Sequence, residues 1–331
     1  MKPIRRILVG VKDPGARSLP AVEKAAQLAK ATGAELTLFH AIAETVAAEP
    51  YLYAQGGFRK HERAVRRRHL DSLERLAADL HRRHRKLKLR VEAEWDYPVH
   101  EAIVRRARRR KADLVVAEAH AGRRTAPWLL RLTDWELIRS CPVPVLVVKS
   151  TRAWKRPQVL AAIDPAHAYA KPAALDGEIL KAGEQLAKAL RGRLDVMHAF
   201  MPVPVGGAPF MAAGAEVVSE VLASTEKQAR DSFERALRGS KVPRSRRHLI
   251  KGAPSVAVPR VAQALRADIA VMGAISRSAL KRIVIGNTAE RVLGALPCDV
   301  LVVKPKRFVT RVSRTRRGVK YTVSSEVPMP Y

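Results

Sequence analysis

Cysteine is nearly absent: Cys141 and Cys298 are the only two in 331 residues, too few for a disulfide framework and outside any CxxC or Cys/His metal spacing. That scarcity points to the reducing cytoplasm, and no metal is required by the sequence. Aromatic residues make up 5% of the chain and do not interleave with the basic runs, so a base-stacking platform for nucleic acid is missing. No apolar run approaches the length of a membrane-spanning helix. The basic start Met1-Lys2-Pro3-Ile4-Arg5-Arg6 leads into an apolar run, Ile7 to Val11, that stops at Lys12-Asp13; it reads as a first β-strand rather than a signal peptide. GxSxG, HExxH and P-loop patterns are absent, and neither cysteine lies in a nucleophile motif. A dedicated enzyme is not expected, although slow ATP hydrolysis stays open wherever ATP binds. Acidic residues are few, with 31 Asp and Glu against 62 Lys and Arg, a net charge of +31. A 47% apolar fraction nevertheless excludes wholesale disorder and suits two globular domains.

What is present is a duplication. Ile7-Leu8-Val9-Gly10-Val11-Lys12-Asp13-Pro14 matches Val159-Leu160-Ala161-Ala162-Ile163-Asp164-Pro165, each an apolar strand ending in Asp-Pro. Gln27-Leu28-Ala29-Lys30 before Leu36 to Ala41 matches Gln185-Leu186-Ala187-Lys188 before Leu194 to Ala199. Ala112-Asp113-Leu114-Val115-Val116 and Val145-Leu146-Val147-Val148-Lys149 recur 155 residues later, at Ala267 and Val300. Short Val/Leu/Ile runs alternate with segments of helical periodicity, such as Val218, Val221, Leu222, Thr225, Ala229, Phe233 and Leu237. This is the pattern of an α/β unit whose parallel sheet is covered on both faces. Strands are expected near 4–11, 35–41, 87–94, 113–118 and 144–149, then near 157–163, 193–199, 247–251, 268–273 and 299–304. The expected domains are 1–150 and 151–305. Residues 42–57 and 200–215 read as crossover loops, and 306–331, with seven Lys/Arg against Glu326, as a disordered basic tail.

The segment richest in chemistry is Val271-Met272-Gly273-Ala274-Ile275-Ser276-Arg277, followed by Gly286-Asn287-Thr288-Ala289-Glu290 at a helix start. Ligands of open parallel sheets bind outside the carboxyl ends of the strands. Gly273 is at such an end, where glycine permits close backbone approach, and the helix N-terminus at Gly286 offers unpaired N–H groups to a phosphate. Arg277, Lys281 and Arg282 add positive charge. The same spacing also suits a tight turn and a plain helix start.

With these residues in view, the chain resembles the tandem-domain members of the universal stress protein family over nearly all of 1–305. The carriers are the two strand-Asp-Pro starts, the loop from Gly273 through Glu290, the segment Thr133 to Pro142 and the two closing Val-Leu-Val-Val-Lys strands. The resemblance implies a five-stranded parallel sheet in order 3-2-1-4-5 in each domain. In nucleotide-binding members a Gly-x2-Gly-x9-Gly-Ser/Thr loop holds ATP phosphates and the Asp after strand one lies near the nucleoside. Carried over, Gly273 and Gly286 match glycines and Asp164 the Asp. Ser276 stands for the second glycine and Asn287 for the Ser/Thr, so a partial site of Asp164, Gly273, Ser276, Arg277, Gly286, Asn287 and Thr288 is expected for ATP or a related adenine nucleotide. In the first copy Glu118 and Arg131 replace the outer glycines, a carboxylate at the mouth repels phosphate, and no nucleotide is expected there; the two are candidates for an ion pair that plugs the site.

Plainer readings stand beside these. Asp13 and Asp164 are also ordinary turn starters. Asn287 with Glu290, and Thr133 with Glu136, fit helix capping. His40 and His198 read as structural strand-end residues, and Trp128 and Trp135 as helix–sheet packing. The basic runs Arg66–Arg68, Arg82-Arg83, Arg105–Lys111 and 306–320 suggest nonspecific nucleic-acid binding as an alternative function. The closing strands 145–149 and 300–304 are sheet edges that would cover one another in an intramolecular pseudo-dimer, with a further homodimer open. The expected function is a cytoplasmic regulatory stress-response protein supporting survival under stress including DNA damage. A second alternative is a pocket widened by the Ala/Gly-rich 206–215 loop to hold an apolar or lipid-like molecule.

Overall fold

A computed structural model describes residues 2–48, 57–119, 127–165, 175–201, 215–273, 286–306 and 308–323. The chain forms two compact units, an N-terminal one of Ile4–Val145 with Val309–Tyr331 and a C-terminal one of Leu146–Phe308 with Met1–Pro3.

In the N-terminal unit, β1 (Arg6–Gly10), α1 (Pro20–Thr32), β2 (Glu35–Ile42), β3 (Thr45–Ala48), α2 (Gly57–Arg83), β4 (Lys88–Trp95), α3 (Val99–Arg109), β5 (Leu114–Glu118) and α4 (Pro127–Ser140) follow in order. The sheet runs β4-β2-β1-β5, all parallel, with Ile7 beside Leu36 and Leu114. Leu8, Val9, Leu38 and Val116 are fully buried, as strands covered on both faces require. The C-terminal unit takes Leu146–Val148 of β6 (Val145–Val148) and continues with β7 (Gln158–Ile163), α5 (Leu175–Ala189), β8 (Arg193–Phe200), α6 (Ala215–Ala236), β9 (Arg247–Lys251), α7 (Pro254–Ala264), β10 (Ile269–Gly273), α8 (Asn287–Ala295) and β11 (Asp299–Val303). Its order is β6-β11-β10-β7-β8-β9. The third-second-first-fourth arrangement is therefore common to both copies. The closing strand of the first copy, Leu146–Val148, lies beside β11, so the two expected edge strands cover one another.

The duplication extends to single contacts. Asp113 accepts the backbone N–H groups of Arg5 and Arg6, both at 3.0 Å, and Asp268 accepts that of Gln158 at 2.9 Å, so one aspartate at the start of each fourth strand holds the start of the first strand. Lys111 and Arg266, 155 apart, both adopt φ of 50° where the preceding helix ends. Asp299, fully buried, accepts the N–H groups of Lys149 and Ser150 and the indole Nε1–H of Trp154 at 2.8 to 3.0 Å. Three donors satisfy a carboxylate that would otherwise be expensive to bury.

The basic tail departs from expectation. Residues 308–323 form a strap that belongs, from Val309, to the N-terminal unit. Val312 and Val319 are buried, and β12 (Lys320–Val323) pairs in parallel with β3. Arg317 donates its backbone N–H to Asp96 Oδ1 at 3.0 Å and a guanidinium N–H to Glu101 at 3.2 Å, while Arg108 donates to the Val312 carbonyl at 2.8 Å. Two apolar anchors and these charge-assisted bonds supply what the composition of the tail did not announce. The expected crossover loops also hold more structure than anticipated, since β3 lies within 42–57. Residues 49–56, 202–214 and 324–331 lie outside the described residues.

Candidate functional site

The strand ends define the place where a ligand would sit. In the C-terminal unit β7 and β10 are parallel neighbours, Ala161 beside Val271, so Asp164 and Gly273 end adjacent strands. Asp164 donates its backbone N–H to Asp176 Oδ1 at 3.0 Å, which ties the turn to the first turn of α5. Gly286, at φ −67° and ψ 142°, is the N-cap of α8, and its side-chain-less position provides no cap hydrogen bond; Asn287 and Thr288 are the first helical residues. Glu290 donates its N–H to the Gly286 carbonyl at 3.0 Å. Asn287 is thus inside the helix and is not its N-cap, a correction of one residue to the capping-box reading. Ser276, Arg277, Lys281 and Arg282 lie outside the described residues.

The register of the two copies revises another correspondence. His40 Nδ1 lies 2.8 Å from the Val11 carbonyl and His198 Nδ1 lies 3.2 Å from the Ile163 carbonyl. The two histidines are equivalent clamps between second and first strands, as the structural reading expected. Val11 therefore matches Ile163, and the residue in the place of Asp164 is Lys12, not Asp13. Asp13 is a turn residue whose Oδ1 accepts the Gly15 N–H at 2.8 Å. The same register sets Glu118 opposite Gly273, because Gly10 lies beside Ala117 and Ala161 beside Val271. Relative to its twin, the first copy has a lysine for an aspartate and a carboxylate for a glycine.

At this mouth the N-terminal unit holds a cavity of about 200 Å³, walled by Phe39, Val99, Ile103 and Leu137 and rimmed by Lys12, Glu118 and Asp134. Gly10 forms its floor: a Cβ there would press on Ile103 Cδ1 at 2.9 Å. Burial lowers the pKa of the Lys12 ammonium, opposed by Asp134 and Glu118, which favour its charge. The side chains of Arg131, Trp128 and Thr133 lie outside the described residues, and with them the expected Glu118–Arg131 plug. Trp135 is half-buried on α4.

Two arginines of the basic run on α3, Arg105 and Arg106, are turned inward. Arg105 and Asp96 are each 4% exposed and form a bidentate pair at 2.7 and 2.8 Å, with Glu101 at 2.9 Å and the Tyr97 carbonyl at 3.0 Å. Arg106 pairs with Glu92 and Glu94 and lies 5.2 Å over the Phe39 ring. These two arginines are core ion pairs, and no part of a nucleic-acid face. Arg109 and Arg110 remain partly exposed.

Both cysteines are buried, and burial pushes the Cys298 thiol up to about 11. Among the described residues no group of His, Cys, Asp and Glu could hold a metal ion, and no helix is long and apolar enough to cross a membrane.

A family model described as the Universal stress protein family matches residues 3–149 and 157–304. Universal stress protein E of Escherichia coli K12 is 27% identical over 226 residues, which covers 68% of this chain and 71% of that protein. The universal stress protein E homolog of Haemophilus influenzae is 27% identical over 229 residues, with coverage of 67% and 71%. A solved structure of a functionally unknown protein from Pseudomonas aeruginosa PAO1 matches with a TM-score of 0.70 at 25% identity, covering 92% of this chain and 93% of that one. A universal stress protein from Archaeoglobus fulgidus DSM 4304, 18% identical with a TM-score of 0.53, covers 90% and 96% and shares the fold.

Proposed function

The chain belongs to the universal stress protein family, with two such domains in tandem and relatives named universal stress protein E, and from that premise we propose that it is a regulatory, ligand-sensing protein with one partial nucleotide site. The site is that of the second domain, made of Asp164, Gly273, Ser276, Arg277, Gly286, Asn287 and Thr288, and its ligand is ATP or a related adenine nucleotide. The observation that supports this reading is the pairing of a glycine at the end of β10 with a helix that opens on an N-cap glycine bearing no side-chain cap. Such an end favours phosphate through its N–H groups and dipole. The role is binding rather than turnover, in the cytoplasm, in support of survival under stress including DNA damage.

The test is to free the purified protein of nucleic acid with high salt, extract it with organic solvent and identify retained molecules by mass spectrometry, then titrate the emptied protein with ATP. Stoichiometric adenine nucleotide, lost in Gly273→Glu and in Gly286→Arg, supports the reading. An empty protein that also ignores added ATP overturns it.

A second reading concerns the first domain. Its cavity has apolar walls and carboxylates at the rim, which suits a small apolar molecule better than a phosphate. Ile103→Trp, which fills the cavity, should abolish retention of any such molecule in the same extraction and leave nucleotide binding unchanged.

A further inference from the structure

Two basic runs far apart in the sequence meet at one place. The strap carries Arg311, Arg314, Arg316, Arg317 and Lys320 and no acidic residue between Val309 and Val323. It docks on α3, itself rich in arginine. Between them lies a cleft of about 350 Å³ lined by Arg105, Arg108, Arg109 and Arg314.

The four arginines are not alike in what they have to give. Arg105 is spent on Asp96 and Glu101 and forms a fixed wall. Arg108 is positioned by its bond to the Val312 carbonyl. Arg109, 54% exposed, has one long contact with Glu94 at 3.4 Å. Arg314 is exposed and makes no ion pair or hydrogen bond among the described residues. Around the cleft Arg105, Arg106, Arg108, Arg109, Arg110, Arg314, Arg316 and Arg317 outnumber Glu92, Glu94, Asp96 and Glu101 two to one. Like charges brought together by docking repel, and a multivalent anion in the cleft would remove that cost.

We propose that this cleft is a binding site for a compact multivalent phosphate, a di- or triphosphate group, held by Arg109 and Arg314 against the wall of Arg105 and Arg108, and that its occupancy clamps the strap onto the N-terminal unit. Guanidinium forks match phosphate oxygens in pairs. A cleft of about 350 Å³ has room for a triphosphate. The site is independent of the glycine loop in the second domain, and it makes no use of a base.

Inorganic tripolyphosphate is the probe, titrated calorimetrically into the full chain at several salt concentrations, with trypsin cleavage after Arg311, Arg314, Arg316 and Arg317 as the second readout. One saturable site is expected, weakening with salt, together with at least tenfold slower cleavage of the strap when the site is filled. Arg109→Ala with Arg314→Ala, both exposed positions, should weaken binding at least tenfold and remove the protection. The charge-matched control Lys241→Ala with Arg244→Ala should bind as the parent does. Gly273→Glu should also leave tripolyphosphate binding unchanged, which separates this site from the nucleotide site. Overturning results are unsaturable multisite binding, equal effects of the two double variants, unchanged trypsin cleavage, or binding seen only with a single-stranded oligonucleotide and not with tripolyphosphate.

Discussion

The helix that follows the third strand is ionic in one unit and apolar in the other. Trp95 lies beside Ile42 and Lys251 beside Phe200, which sets Asp96 opposite Gly252, and the helices Val99–Arg109 and Pro254–Ala264 match 155 residues apart, which sets Arg105 opposite Arg260 and Arg106 opposite Val261. Arg105 and Arg106 are buried, whereas of their counterparts Arg260 is exposed and Val261 is buried. The position of Arg105 and Arg260 thus holds a desolvated salt bridge in one copy and a solvent-facing arginine in the other, where Gly252 supplies no carboxylate, and the position of Arg106 and Val261 holds a paired guanidinium in one copy and plain packing in the other. The mouths differ in the same sense, Lys12 and Glu118 occupying in one copy the positions that Asp164 and Gly273 hold in the other. A duplicated fold keeps its strand order while its charges are redistributed, and whatever distinguishes the two domains in function must lie in those side chains.

The comparison breaks most sharply at Arg105. Arg105→Ala strands Asp96 as a buried, unpaired carboxylate and should cost about 3–5 kcal/mol, read from urea unfolding. Removing both partners, Asp96→Gly with Arg105→Val, should restore stability to within about 1–2 kcal/mol of the parent, because an apolar replacement of a whole buried pair is tolerated where removal of one partner is not. If the pair variant is as unstable as the single one, the stranded carboxylate is not the source of the loss.

A smaller effect is expected where α1 and α5 turn into the second strands. Gly33 takes φ of +70° in the first copy, whereas Arg191 takes φ of +53° in the second and Gly192 follows it. A Cβ on Gly192 would collide with the Pro157 carbonyl, a backbone atom that cannot rotate away. Gly192→Ala should destabilise by about 2 kcal/mol. Gly33→Ala meets no neighbour and should cost about 1 kcal/mol from its backbone angle alone. Thermal unfolding of the two variants ranks them.

The smallest effect concerns acid. Burial lowers the pKa of His40; the Val11 carbonyl favours the charged ring, His69 opposes it, and Asp13 and Glu44 favour it. Since the folded pKa lies below the unfolded value of about 6.5, the unfolded chain takes up the proton first. The stability from neutral His40 is complete above that value and is lost as pH falls below it. Urea midpoints at pH 7.5 and 5.5 should differ less in His40→Phe than in the parent.

Much of this was legible in the residues. The strands expected near 35–41, 113–118, 193–199 and 268–273 correspond to Glu35–Ile42, Leu114–Glu118, Arg193–Phe200 and Ile269–Gly273, because runs of Val, Leu and Ile between helical segments have few other uses in a parallel sheet. The short strands Thr45–Ala48 and Lys320–Val323 were missed, since four residues that pair across nearly the whole chain carry no periodic signal of their own. By letter Asp13 matches Asp164; only the hydrogen bonds of His40 and His198 fix the register that puts Lys12 there. Charge count alone could not separate Arg105, buried against Asp96, from Arg109, which faces solvent, because partners brought together by folding are invisible to composition.

The strap also orders events in time. Synthesis proceeds from the N-terminus, and domains fold largely as they emerge. The N-terminal unit can build its four-stranded parallel sheet early, yet Arg108 finds the Val312 carbonyl and Asp96 the Arg317 N–H only after the whole second domain has been made. The first domain to fold is therefore finished only after the second, and its final contacts register that the second domain has been synthesised.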